Sequence, residues 1–175
     1  MPSYVILKAR NMPQRLQKAL TGLIHDEFHA LTTYAHQASI MEGYGHQRLA
    51  QKFQEEVREE LHHAMLLMDR LNLFASPPNL NKPKPVKTLI SPKAMLQHQL
   101  ELEEEAIASY NKAVALARSL EDNATKDLLT AILQDEEHHY DWLSAQLDRI
   151  AQMGLENYLS HMGQPHITVE VEEED

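Results

Sequence analysis

Two short segments of the chain repeat one another, Glu60-Leu61-His62-His63 and Glu136-Glu137-His138-His139. On a helix, a carboxylate and an imidazole three residues apart share one face, so each Glu-x-x-His can offer an oxygen and a nitrogen to a single metal ion. Taken alone, either segment reads equally as a solvated charged face, because Glu and His are common surface residues and the chain holds 11 His. Two further glutamates change the balance. Glu27 has Leu20, Leu23, Leu31 and Tyr34 at minus seven, minus four, plus four and plus seven. Glu103 has Leu96, Leu100, Ile107 and Tyr110 at minus seven, minus three, plus four and plus seven. Both lie on apolar stripes at helical spacing and are predicted to point inward.

Four carboxylates in an apolar interior without counter-charge would carry a desolvation penalty too large for a marginally stable fold, and two cations would cancel it. One Glu from each of two helices and Glu-x-x-His from each of two others is a known bundle ligand set for a two-iron or two-manganese carboxylate centre. Oxygen-rich ligation with one imidazole per ion suits Fe or Mn better than soft ions. Glu27 with His63 is expected on one ion and Glu103 with His139 on the other, with Glu60 and Glu136 bridging, so that dioxygen could draw one electron from each ion. An alternative frame uses Glu59 with His62 and Asp135 with His138, rotated about 100° on each helix. Leu66, Leu128 and Ala131 support that frame; Val57, Ala64, Leu67, Leu129, Ile132 and Leu143 support the first. His25, His29, His46, His98 and His161 read as surface groups or assembly contacts, and Met12, Met41, Met65, Met68, Met95 and Met153 as core fillers.

Helices must carry these residues. Apolar residues recur every three or four positions from Met12 to Ile40, which predicts a first helix with Pro13 in its first turn. Glycines at 43 and 45 mark a short turn, and a second helix runs from about His46 to Leu73. The stretch from Phe74 to Ser91 holds Pro77, Pro78, Pro83 and Pro85 and is predicted to be extended. Helix two spans about 42 Å, and the extended segment, at about 3.3 Å per residue, is long enough to return along it. Ser91 and Pro92 open helix three, which ends near Leu120; Asn123 is expected to cap helix four, which runs to Met153 and stops at Gly154. A brief fifth helix, Leu155 to His161, follows. Short turn, long crossover and short turn predict an up-down-down-up bundle, all-α in class. Past Pro165, Ile167 to Val171 alternate as a short strand would, and the last four residues are all acidic, which favours disorder.

At 175 residues the chain is sized for one domain with a substantial core. Its net charge of −10 disfavours a nucleic-acid partner. The absence of cysteine excludes iron–sulfur clusters, thiolate zinc sites and thiol nucleophiles within the chain. Only three consecutive apolar residues precede Lys8, too few for a signal core or membrane span; a soluble, cytoplasmic protein with no membrane partner is the expectation.

The segments Ile132-Leu133-Gln134-Asp135-Glu136-Glu137-His138-His139-Tyr140-Asp141-Trp142-Leu143 and Gln152-Met153-Gly154-Leu155-Glu156-Asn157-Tyr158-Leu159 closely resemble bacterioferritin. The resemblance covers residues 12 to 163 and implies a ferritin-like diiron domain over residues 1–163, with an acidic tail over 164–175. It further implies a homo-oligomeric shell of 24 subunits that stores ferric mineral, and two Fe per subunit oxidised from Fe(II) by oxygen or hydrogen peroxide. The family's ferroxidase ligands would fall on Glu27, Glu60, His63, Glu103, Glu136 and His139, and its tyrosine near the metal centre on Tyr34. Glu55 and Glu59 resemble positions that meet iron on the cavity side. Haem-binding members use a methionine where this chain has Leu61, and an isobutyl group offers iron no ligand, which argues against haem there. Competing readings are a catalase-like or peroxide-detoxifying dimetal enzyme without storage and a structural or DNA-protecting shell protein; the charge and the lack of a basic tail weigh against DNA coating.

Overall fold

The structure, a computed structural model, describes residues 12–80 and 83–163. Five helices follow in order: α1 Gln14–Gly43, α2 Gln47–Asn72, α3 Pro92–Ser119, α4 Asn123–Met153 and α5 Leu155–Met162. No strand occurs among the described residues, and the fold is the all-α bundle that the periodicity predicts. The expected tail, strand or disordered, lies outside the described residues, as does the N-terminal segment up to Asn11.

The direction of each helix follows from its contacts. α1 packs along α2, and α3 along α4; the three-residue turns Tyr44 to His46 and Leu120 to Asp122 are short enough that each pair must be antiparallel. Gly45 takes a φ of +79° in the first turn, where a side chain would be strained. Tyr110 bonds to Glu27, Tyr34 to Glu103 and Gln99 to Gln37. Numbers rise along α1 as they fall along α3, so these two are antiparallel as well. α2 and α3 therefore run the same way, and the segment between them must travel the length of the bundle. Phe74 at its start packs on one end of the core and Leu89 near its finish on the other. His25 Nε2 bonds to the Asn79 carbonyl at 2.6 Å, and Lys84 pairs with Asp26, so α1 holds the strap at two points.

The core has two apolar ends with a polar layer between them. One end gathers Leu16, Leu20 and Ile24 of α1 with Leu67 and Leu71 of α2, Ala113 of α3 and Leu129 of α4. The other gathers Met41, Leu49, Phe53, Met95, Leu143 and Tyr158, the last from α5. Each fully buried Leu or Phe contributes about 1.5–3 kcal/mol relative to an exposed one, and these two ends supply the stability that lets the layer between them be polar.

Several boundaries differ from the periodicity reading. α1 runs past Ile40 to Gly43 because Met41 is fully buried and extends the apolar stripe by a turn. Pro13 stands just outside α1 as its cap, its carbonyl accepting from the Leu16 and Gln17 amides. The cap of α4 is Asp122 and not Asn123. Asp122 accepts from the Thr125 amide at 3.1 Å and from its hydroxyl at 2.7 Å, and pairs with Arg70 of α2 at 2.7 Å. Two adjacent cap residues compete in the sequence, and the arginine across the bundle decides between them. Asp122→Ala is expected to lower stability by about 1–2 kcal/mol in urea unfolding, and Asn123→Ala by much less. Met65 and Met153, expected as core fillers, are 50% and 38% exposed, because each lies on the solvent side of its helix. Met12, Met41 and Met95 are buried, and Met68 packs partly buried against the core.

Candidate metal centre

The polar layer contains the residues that the two stripes and the two Glu-x-x-His segments single out. Glu27, Glu60, His63, Glu103, Glu136 and His139 are each no more than 4% exposed. Their ligand atoms form two groups, each lying within 4.8 Å: Glu27, Glu60, His63 and Glu136 in one, and Glu60, Glu103, Glu136 and His139 in the other. Glu60 and Glu136 belong to both. His63 and His139 lie with ring centroids 6.1 Å apart, facing each other across the pair. His62 and His138, the imidazoles of the alternative frame, are exposed, since a rotation of one residue carries them out of the layer.

Each imidazole turns Nδ1 inward. His63 Nδ1 is 3.3 Å from Glu136 and 3.6 Å from both Glu27 and Glu60. His139 Nδ1 is 3.3 Å from Glu136 and 3.7 Å from Glu60. The outer nitrogens meet further carboxylates: His63 Nε2 lies 3.5 Å from Asp135, and His139 Nε2 bonds to Glu59 at 2.8 Å with Glu56 at 2.9 Å. A carboxylate on the far nitrogen fixes the tautomer and ring orientation of a metal-binding histidine and raises its basicity. Two tyrosines complete the layer. The Tyr34 hydroxyl donates to Glu103 at 2.5 Å, and the Tyr110 hydroxyl donates to Glu27. Burial and the adjacent carboxylates push both phenols well above their ordinary pKa, so both remain donors.

The charges of the metal-free layer are compressed. Burial, and next the Glu136 charge, raise Glu60 and Glu103 well above the usual carboxylate range, so both favour the protonated form. Burial would also raise Glu136, but the His139 and His63 imidazoles 3.3 Å away outweigh it and bring it down to about 2. Burial would lower His139, but Glu136 and Glu56 override it and push it up to about 12; His63 is raised in the same way by Glu136, Glu27 and Glu60.

The donor set fits a pair of ions. Glu60 Oε1, both carboxylate oxygens of Glu136 and the Nδ1 atoms of His63 and His139 are buried with no hydrogen-bond partner. Buried polar atoms left unpaired are costly, and all five face the space between the four helices where a pair of cations would satisfy them. The ligands are mainly carboxylate oxygens with one imidazole per group, which suits Fe or Mn.

Sequence reasoning missed Tyr110 as a donor and Glu56 altogether. A signal for Tyr110 was present: it lies seven residues after Glu103, as Tyr34 lies seven after Glu27, and antiparallel packing of α1 on α3 hands each tyrosine to the other helix's glutamate. Glu59 and Asp135 are related in the same way, one residue before Glu60 and Glu136. Glu56 breaks the symmetry, because the matching position on α4 is Ile132. Trp142 sits half-buried beside the far apolar end, with the Lys52 ammonium 5.6 Å from its ring centre. Leu61 is 43% exposed on the outer face of α2, one turn before exposed Met65 and away from the layer.

Comparison with known proteins agrees with this architecture. The Ferritin-like domain family matches residues 17–153. The chain is 36% identical over 132 residues to a bacterioferritin of Brucella melitensis, covering 75% of this chain and 82% of that protein. It is 33% identical over 141 residues to a bacterial ferritin of Synechocystis, covering 80% and 90% respectively. A bacterial ferritin of Pseudomonas aeruginosa is 35% identical over 141 residues, covering 80% and 91%. With two Glu/His clusters sharing two glutamates inside a four-helix bundle with a long crossover, and with these relatives, the chain belongs to the ferritin-like family, among the bacterioferritins.

Proposed function

We propose that the protein oxidises Fe(II) to Fe(III) at the paired clusters and stores the ferric product in the cavity of a homo-oligomeric shell, 24 subunits in the family pattern. The observation that carries this reading is the sharing of Glu60 and Glu136 by two ligand groups, which brings two ions close enough to act on one oxidant. Glu27 and His63 hold one Fe(II), Glu103 and His139 the other, and Tyr34 and Tyr110 fix the two outer carboxylates. Two Fe(II) give up one electron each; with two protons, dioxygen becomes hydrogen peroxide, or hydrogen peroxide becomes two waters. The relatives named bacterioferritin and bacterial ferritin support the storage role. Exposed Leu61 provides no ligand for haem. Among the described residues no helix is long and apolar enough to cross a membrane.

The test is aerobic addition of Fe(II) to the purified protein. Ferric absorbance is expected to grow well above the buffer rate, with the iron eluting with the protein on gel filtration. Oxidation at the buffer rate overturns the reading. Peroxide consumed in bulk with no iron retained would replace it with a catalase-like activity.

A further inference from the structure

A cavity of about 150 Å³ opens between α1 and α3. Its inner wall carries Glu27, Glu60, Glu103 and Glu136, all buried, and its outer wall carries Asp26, Glu105 and Lys84. It therefore joins the polar layer to solvent, with room for a few waters at about 30 Å³ each. Six carboxylates line it from the inner wall to the mouth, with His29 beside them, and among the described residues Lys84 is its one lysine or arginine.

Lys84 does not belong to the bundle helices. It sits on the crossover strap between Pro83 and Pro85, where one proline fixes its own φ and the other restricts Lys84 to extended backbone. The strap is tied to α1 a few residues earlier by the His25 bond to the Asn79 carbonyl. This stiff presentation lays the ammonium on Asp26, the residue beside Glu27, with the two side chains 47% and 32% exposed. An ion pair so wet is weak, and a dication competes for Asp26 with twice the charge.

We propose that Lys84 gates this entrance: its ammonium occupies Asp26 as a placeholder that a hydrated divalent cation must displace, which sets the rate of entry and favours dications over monovalent ions. The inference rests on the dimetal reading of the layer. A gate at the mouth changes arrival and departure together and leaves the equilibrium of the inner site nearly alone, whereas a residue acting on the bound ion changes its affinity.

The experiment measures Co(II), a redox-inert probe with a visible ligand-field spectrum, binding to the intact assembled protein in stopped flow. Lys84→Gln is expected to bind about three- to tenfold faster than wild type and release Co(II) faster by a similar factor, with Kd changed by less than about twofold. Lys84→Arg, which keeps the charge, is expected to stay near the wild-type rate. An unchanged on-rate in Lys84→Gln, or a tighter Kd with an unchanged on-rate, overturns the gate while leaving the centre intact. Failure of wild type to bind Co(II) at all overturns the centre, and the gate with it. The substituted side chain is exposed, so the helical circular dichroism is expected to be unchanged in both variants.

Discussion

Fe(II) mixed aerobically with the variant Glu136→Ala, His139→Ala is expected to oxidise at the buffer rate, while Glu137→Ala, His138→Ala keeps the wild-type rate. The two pairs are one residue apart in the same helix and identical in residue type, so composition, net charge and helix propensity change equally. Only position differs. Glu136 and His139 are 1% and 4% exposed and face the ligand groups, whereas Glu137 and His138 face solvent. Removal of the first pair leaves Glu60 and Glu103 as the remaining members of one group, and Glu27, Glu60 and His63 of the other. Loss of an outer partner of a ligand costs about 10–100-fold in affinity or activity, and loss of a shared ligand is expected to exceed that. Dioxygen must receive two electrons to reach peroxide, so one surviving ion cannot complete the step. Stopped-flow absorbance of the ferric product checks both variants. Equal loss in both pairs would show that surface charge, not the buried layer, drives oxidation.

The second large effect is on stability, and its sign depends on pH. In the metal-free protein His63, His139, Glu60 and Glu103 all hold protons more strongly than in the unfolded chain. Each folded pKa is raised, so the stability each contributes is present below its unfolded pKa and is lost as pH rises through the folded one. For Glu60 and Glu103 the loss starts near pH 4.5, and for His139 it runs from about 6.5 up to about 12. Glu136 works in the opposite direction, its contribution being present above pH 4.5 and lost as pH falls toward about 2. The melting temperature of the metal-free protein is therefore expected to fall from pH 6 to pH 9. Metal binding replaces those protons, so it releases them and strengthens as pH rises. With Co(II) at about a thousand times Kd, the folded state gains about 4 kcal/mol. For a chain of this size that is about 10 °C in melting temperature, and the gap between loaded and metal-free protein is expected to widen with pH. Calorimetry in two buffers of different ionisation enthalpy reads the proton release directly. A metal-free melting temperature that rises across this range would contradict the charge state assigned to the layer.

The two effects share one cause, the placement of polar groups between two apolar ends. Leu16, Leu20 and Leu67 at one end and Met41, Phe53 and Leu143 at the other bury their side chains fully or nearly so. They hold the four backbones close enough that the carboxylates cannot turn away to water. A layer of this kind is stable only when the protons or the cations that neutralise it are present.

Much of this was legible in residue spacing. Stripes of period three and four, a proline-rich stretch long enough to recross the bundle, and glycines at the turns determined helix number, order and the up-down-down-up path, because burial of an apolar face dictates helical period and an extended chain has a fixed reach. Glu27 and Glu103 could be picked out as inward-facing because their neighbours three or four and seven positions away on the same face are apolar or aromatic. Spacing favoured the frame of Glu60 with His63 and Glu136 with His139, because more of the flanking apolar residues share its face, and the packed bundle turns His63 and His139 inward and leaves His62 and His138 outside. Tyr34 was reached only through family resemblance; Tyr110 holds the matching position seven residues after Glu103, but its bond to Glu27, 83 positions away, was set by the antiparallel crossing of α1 and α3. The choice of Asp122 over Asn123 as a cap, the backing of His139 by Glu56 and the seat of Lys84 on Asp26 were likewise decided by tertiary structure. Local sequence determines which face of a helix seeks the interior; which side chain meets which across the interior depends on the relative register of separate helices, and only the packed bundle sets that.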